Sequence, residues 1–290
     1  MLRLYGCIAQ QHDLRLVLLA AVFCFFGCDT ALTLLARASG EDRSRREIGW
    51  KWITAAAIVA GGSVWATHFV AMLAFRPGLP VGYDIPLTAL SIVIAMAVSW
   101  IAFVLALRLS APVIGGAVFG LAVCFMHFTG MEALDMPAQI QWDPVFVLCA
   151  IVVGVGFGAL GLRAFTRRRG FASYLYATAL LTVAIAGLHF TGMASASIVP
   201  DPTVANSSGG LAPEWLGVTV ATVMIVFVLG LSGSVVDQHL TERNVQRAAR
   251  RQVPAPELET AEGAIATPIT LSPIVRPPWR DRQNPEFERS

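Results

Sequence analysis

Long apolar runs separated by short polar joints set the pattern of this chain. Seven such runs occupy residues 14–36, 52–75, 87–107, 113–136, 145–162, 174–199 and 215–236. Each is close to the ~20 residues a helix needs to cross a ~30 Å hydrocarbon core. Lipid offers backbone groups no partner, so runs of this length are predicted to be helices. Proline marks the joints: Pro77, Pro80 and Pro86 after the second run, Pro137 and Pro144 after the fourth, and Pro200, Pro202 and Pro213 after the sixth. The pattern predicts an all-α fold, a seven-transmembrane helix bundle. Residues 1–13 form a short outer segment, 14–238 the membrane domain, and 239–290 a cytoplasmic tail.

Composition agrees, with 56% of residues hydrophobic and 14% charged, too few charges for the surface of a soluble domain of 290 residues. The remaining cations are unevenly placed. Arg37, Arg43, Arg45, Arg46 and Lys51 fall in the first joint, Arg108 in the third, and Arg163, Arg167, Arg168 and Arg169 in the fifth. Arg243, Arg247, Arg250 and Arg251 follow the last run, where a basic helix over 237–252 would suit an anionic leaflet. The opposite joints hold only Arg76, with Arg3 and Arg15 at the N-terminus. The positive-inside rule therefore puts the odd joints and the C-terminus in the cytoplasm and the N-terminus outside. Beyond 252 the Pro-rich tail is predicted to be disordered and holds no catalytic domain. The N-terminus superficially resembles a signal peptide ending at Cys28, but the apolar run continues through Leu35, so it reads as a retained first span. Five cysteines (Cys7, Cys24, Cys28, Cys124, Cys149) with no C-x-x-C pair exclude a disulfide framework and a thiolate zinc site.

Three of the five histidines sit in one repeated phrase. Its fullest copy is Cys124-Phe-Met-His-Phe-Thr-Gly-Met131; the others are Trp65-Ala-Thr-His-Phe-Val-Ala-Met72 and Gly187-Leu-His-Phe-Thr-Gly-Met193. In each copy Phe follows the His and Met stands four residues after it, so imidazole and thioether share a helix face. Runs two, four and six all travel outward, and the phrases lie ~10–15 Å below their predicted outer ends at 1.5 Å per residue. His68, His127 and His189 recur at roughly sixty-residue intervals, which reads as a two-helix repeat used three times, plus a seventh helix.

An ionisable residue inside a membrane is costly and usually faces the bundle interior or a water-filled path. The bland reading is a neutral His bonding across helices, with Met as packing. Three at one level, each with its Met, favour a shared metal site of His68, Met72, His127, Met131, His189 and Met193. Imidazole with thioether suits copper, particularly Cu(I), over the oxygen-seeking magnesium and calcium. Zinc gains little from Met, and haem with His or Met axial ligands is the competing chemistry.

Met126 is a second-tier candidate, and Gly130 and Gly192 (Ala71 in the first copy) keep the helix surface small for close packing or ligand access. Cys24 and Cys28 share a face of the first run, and Asp29 beside them calls for a partner. Glu132 and Asp135 are either hydrogen-bond partners of an imidazole or solvated rim charges. Trp50, Trp52, Trp142 and Trp215 read as interface anchors. The only Lys, Lys51, lies at a membrane edge, which excludes a Schiff-base pigment. No P-loop, H-E-x-x-H or G-x-S-x-G is present, so no enzyme activity and no nucleic-acid partner are expected.

Met126-His127-Phe128-Thr129 resembles the Met-His-Tyr-Thr phrase that names the MHYT domain, a seven-helix bacterial membrane module, with Phe in place of Tyr. Leu188-His189-Phe190-Thr191 also lacks the leading Met, and Thr67-His68-Phe69-Val70 keeps only the His. The resemblance covers roughly 14–238. It implies a sensory protein of the bacterial inner membrane that holds copper through the His and Met residues. Oxygen, carbon monoxide, nitric oxide or redox state would be the signal, passed to a separate cytoplasmic signalling partner. A copper transport or assembly factor and a membrane haem protein are the alternatives.

Overall fold

The structure, a computed structural model, describes residues 11–39, 46–167, 171–201 and 210–226, all within one compact unit, Met1–Asp237. Six long helices follow in order: α1 (Leu14–Ala38), α2 (Arg46–Ala74), α3 (Ile85–Leu107), α4 (Pro112–Glu132), α5 (Pro144–Arg167) and α6 (Phe171–Ser195). All six are long and apolar enough to cross a membrane, and a seventh, α7, is described over Pro213–Val226. The remainder of the seventh run, the 239–290 tail, and Arg43, Arg45, Arg168 and Arg169 lie outside the described residues.

Local chemistry sets where these helices begin. Asp13 caps α1 by accepting from the Arg15 amide at 3.0 Å. Asp84 caps α3 by accepting from the Leu87 amide at 2.8 Å, with a proline in the first turn. Asp143 accepts from the Val145 amide at the start of α5. In each case an orphan amide of the first turn finds a carboxylate.

The bundle has an inner and an outer ring. The most apolar stretches of α2, α4 and α6 are 83, 56 and 56% buried, against 33, 33 and 28% for α1, α3 and α5. Leu18, Val93, Val152 and Leu148 on the outer ring are more than half exposed, as lipid-facing side chains are. Consecutive helices pack as neighbours and α6 returns to α1, closing the ring, while α4 touches both α2 and α6 inside it. Close approach needs small residues. A Cβ on Gly120 would stand 2.5 Å from the Gly154 carbonyl carbon, and one on Gly158 would stand 2.5 Å from the Gly116 oxygen. Two glycines four apart on each of α4 and α5 thus let the backbones meet.

Two small ribbons cover one end of the bundle. β1 (Gly82–Tyr83) pairs with β2 (Leu134–Asp135), and β3 (Ala138–Trp142) pairs with β4 (Ala196–Pro200), both antiparallel. They tie together the joints after α2, α4 and α6, and Tyr83 exchanges two backbone hydrogen bonds with Leu211 ahead of α7. The apolar pattern predicts that the fourth and sixth helices run on to 136 and 199; they end at Glu132 and Ser195 instead. Apolar content carries the pattern past those points, but Ile198 and Val199 are β-branched and find strand partners in Ile140 and Gln139. The ribbon end also carries the His phrases. The other end carries Arg37, Lys51, Arg108, Arg163 and Arg167.

Candidate metal centre

Each inner helix brings one histidine to the same level, within about two turns of its ribbon end. His68, His127 and His189 are 3, 1 and 6% exposed. Their rings form a three-bladed propeller, with centroids 5.0, 5.2 and 5.2 Å apart and interplanar angles of 76–86°. Nδ1 of His68 lies 3.2 Å from Nδ1 of His127 and 3.2 Å from Nδ1 of His189. One nitrogen from each ring lies within 4.8 Å of one from both others. Nitrogens sharing one ion at ~2.0–2.1 Å sit about 3.3–3.5 Å apart, so the donor set and its spacing fit a small soft or borderline cation.

The remaining residues of each phrase hold the rings in that posture. Among the described residues, Nε2 of all three histidines has no hydrogen-bond partner. Instead, each of two rings is seated on the glycine of the next helix. A Cβ on Gly130 of α4 would stand 2.6 Å from Nε2 of His68, and one on Gly192 of α6 would collide with Nε2 of His127 and stand 2.9 Å from its Cδ2. Ala71 takes the corresponding place in the first copy and lines the same cavity as His189. The Phe after each His meets its neighbour's ring edge-on, at 4.8, 5.0 and 5.0 Å between centroids. Phe128 in turn packs on Trp142, and Phe69 on Trp65 and Tyr83. With one nitrogen pressed to a glycine, the other is left facing the centre.

A cavity of about 50 Å³ adjoins the propeller, lined by the three histidines, Cys24, Thr67 and Met126 among largely apolar neighbours. A single water needs about 10–15 Å³, so the space suits a small molecule. Met72, Met131 and Met193 are buried at 2, 0 and 4% exposure but do not line this cavity; Met126 does. They follow the histidines by one helical turn toward the ribbons, and Met126 lies on the other side.

The other sequence candidates scatter. Cys24 reaches the cavity and shares a smaller neighbouring pocket with Cys28. The carbonyl of Asp29 accepts from the hydroxyls of Thr33 and Tyr174. Glu132 is exposed, and neither it nor Asp135 lines the cavity. The tryptophans mark both ends: Trp50 stacks on Trp100 under the Arg108 guanidinium, Arg37 covers Trp52, and Trp215 is 65% exposed.

One residue beside the site was missed in the sequence. His12 precedes α1 in no repeat and no periodic run, yet it is 6% exposed and its ring centroid lies 6.4 Å from that of His189.

Residues 61–114 and 120–178 match the MHYT repeat, described as a bacterial signalling protein N-terminal repeat. The chain belongs to the MHYT family. The third phrase, at 187–193, lies outside the two matched repeats, although its histidine completes the propeller. Over 252 residues, 86% of its length, the chain is 35% identical to an uncharacterized signaling protein of Caulobacter vibrioides, covering 31% of that protein. It is 36% identical over 202 residues to the cyclic di-GMP phosphodiesterase NbdA of Pseudomonas aeruginosa, covering 66% of this chain and 25% of that one. It is 31% identical over 246 residues to the bifunctional diguanylate cyclase/cyclic di-GMP phosphodiesterase MucR of the same species, covering 81% and 36%. The chain thus spans between a quarter and about a third of these relatives' length, and the similarity lies in the membrane domain. No solved structure matches. The protein is a multi-pass membrane protein of a bacterial signalling family.

Proposed function

We propose that this MHYT protein is an inner-membrane sensory module that holds copper among His68, His127 and His189, with Met72, Met131 and Met193 as neighbouring thioether ligands. The observation that carries this reading is the convergence of three buried ring nitrogens. A nitrogen of a neutral imidazole is either a donor or an acceptor, so of three mutually adjacent nitrogens two must be alike. Hydrogen bonding alone leaves one pair opposed, whereas a cation accepts a lone pair from each. In α2, α4 and α6 side chains tilt toward the helix N-terminus, which leans each Met toward the histidine one turn before it.

Copper held here would supply a soft, redox-active centre able to meet a diatomic gas. The apolar cavity excludes bulk water while admitting a molecule of that size. Each histidine belongs to a different inner helix, so a change in ligation would bias α2, α4 and α6 relative to one another. A cytoplasmic signalling partner would read that change, and the names of the Pseudomonas relatives favour a cyclic di-GMP enzyme in that role. The arginine end faces the cytoplasm and the ribbon end the periplasm, following the cation distribution. Ring separations of 5.0–5.2 Å leave no room for a porphyrin between the histidines, which favours an ion over haem.

The test is elemental analysis of protein purified from copper-supplemented cells. Copper retained by the wild type and lost in His127→Ala supports the reading; metal-free wild type overturns it. Metal flux into sealed vesicles would favour the transport alternative.

A further inference from the structure

The segment before α1 is fastened across the end of α2. The Asp13 amide donates to the Ala74 carbonyl at 2.9 Å, the Arg76 amide donates to the Gln11 carbonyl at 2.9 Å, and Arg76 pairs with the Asp13 carboxylate at 2.8 Å. Gln11 is exposed and Asp13 half-buried, but the side chain between them turns inward. His12 enters a slot between two aromatic rings, 5.2 Å from Phe75 and 5.6 Å from Phe190. Its ring meets that of His189 at 80°, 6.4 Å between centroids, repeating the edge-to-face posture of the propeller. It is not among the residues lining the cavity.

We infer that His12 is a transit ligand, a fourth imidazole through which a soft metal ion passes between the ribbon-end surface and the His68–His127–His189 centre. Three features argue for it. A ligand-type side chain is held at the boundary of the buried site by a surface segment. Its backbone is fixed on both sides, so its position is built rather than incidental. It stands next to one of the three histidines and outside the compact group of all three, which is where a handover ligand belongs and a holding ligand does not. This inference rests on the copper reading above.

The experiment measures loading of the full-length purified protein with Cu(I) under anaerobic conditions, and release to a Cu(I) chelator, in wild type, His12→Phe and His12→Met. A group that binds the ion only in passage lowers the barrier equally in both directions. His12→Phe, which keeps an aromatic ring in the slot, is expected to slow loading and release alike by about tenfold, with affinity unchanged. His12→Met, which restores a soft ligand, is expected to recover most of both rates. Rates of His12→Phe equal to wild type overturn the inference while leaving the centre intact. Loss of copper from His12→Phe also overturns it, because His12 would then hold the ion. Wild type that binds no Cu(I) removes the centre itself, and this inference with it. Thermal unfolding of each variant confirms that the fold persists.

Discussion

Gly130 and Gly192 seat the histidines of the neighbouring helix, and an added methyl group at either should disturb the centre more than the fold. In Gly130→Ala the new carbon stands 2.6 Å from Nε2 of His68 and 3.0 Å from its Cδ2. Relaxed carbon contacts lie near 3.5–4.0 Å, so the ring must retreat by about 1 Å. Overpacking of this kind costs about 1–3 kcal/mol, and the gain in helix propensity from Gly to Ala returns about 1 kcal/mol. A net loss of about 0–2 kcal/mol is therefore expected. The metal centre is less forgiving, since ligand distances must hold within about 0.2 Å. Copper affinity should fall at least tenfold, at the low end of what disturbed support of a ligand costs. Gly192→Ala should do the same through His127. Gly156 is the control, because a Cβ there meets nothing within 4 Å; Gly156→Ala should leave copper binding unchanged. The assay is thermal unfolding in detergent alongside competition for Cu(I) against a chelator. If Gly130→Ala and Gly156→Ala prove indistinguishable in both, the glycine does not seat the histidine.

Three further outcomes are expected. Gly120→Leu should strongly destabilise the bundle by forcing α4 off Gly154 of α5, seen as a lower midpoint on thermal unfolding; an unchanged midpoint would mean the two backbones are not in contact. Asp13→Ala should cost more stability than Arg76→Ala: the exposed ion pair is worth about 0–1 kcal/mol, whereas Asp13 also caps α1, worth about 0.5–2 kcal/mol. Equal losses on chemical unfolding would contradict the capping role. Burial raises the pKa of Tyr83, in β1 of the first ribbon, from 10.0 to about 12. The folded state keeps this proton where the unfolded chain releases it, so its contribution is complete below pH 10 and fades as pH climbs toward about 12. Tyr83→Phe lacks that loss, so its stability relative to wild type should improve across this window; a difference independent of pH would refute the assignment.

The sequence was enough to place the spans, because a membrane helix must satisfy its own backbone and is therefore written as a continuous apolar run. It was less informative where that rule lapses. The ends of α4 and α6 stay apolar while turning into β2 and β4, and hydropathy does not register the change. Pairing with a distant loop decided it, as between Ile198 and Ile140. The three phrases were visible as a repeat, yet the purpose of their glycines was not. Gly130 serves His68 and Gly192 serves His127, contacts between copies that no reading of one copy reveals.

His12 shows the same limit. It carries no motif, and only the backbone pairing of its segment with the end of α2 turns its ring toward His189. By itself the sequence determined the apolar spans and the three repeated histidine phrases, which follow from local composition and repeated spacing. The tertiary structure decided that the three rings meet nitrogen to nitrogen, that Met126 lies on the cavity wall while the other three Met do not, and that a fourth histidine stands beside them. Those are facts of how the helices are rotated and packed, and rotation is set by contacts between distant parts of the chain.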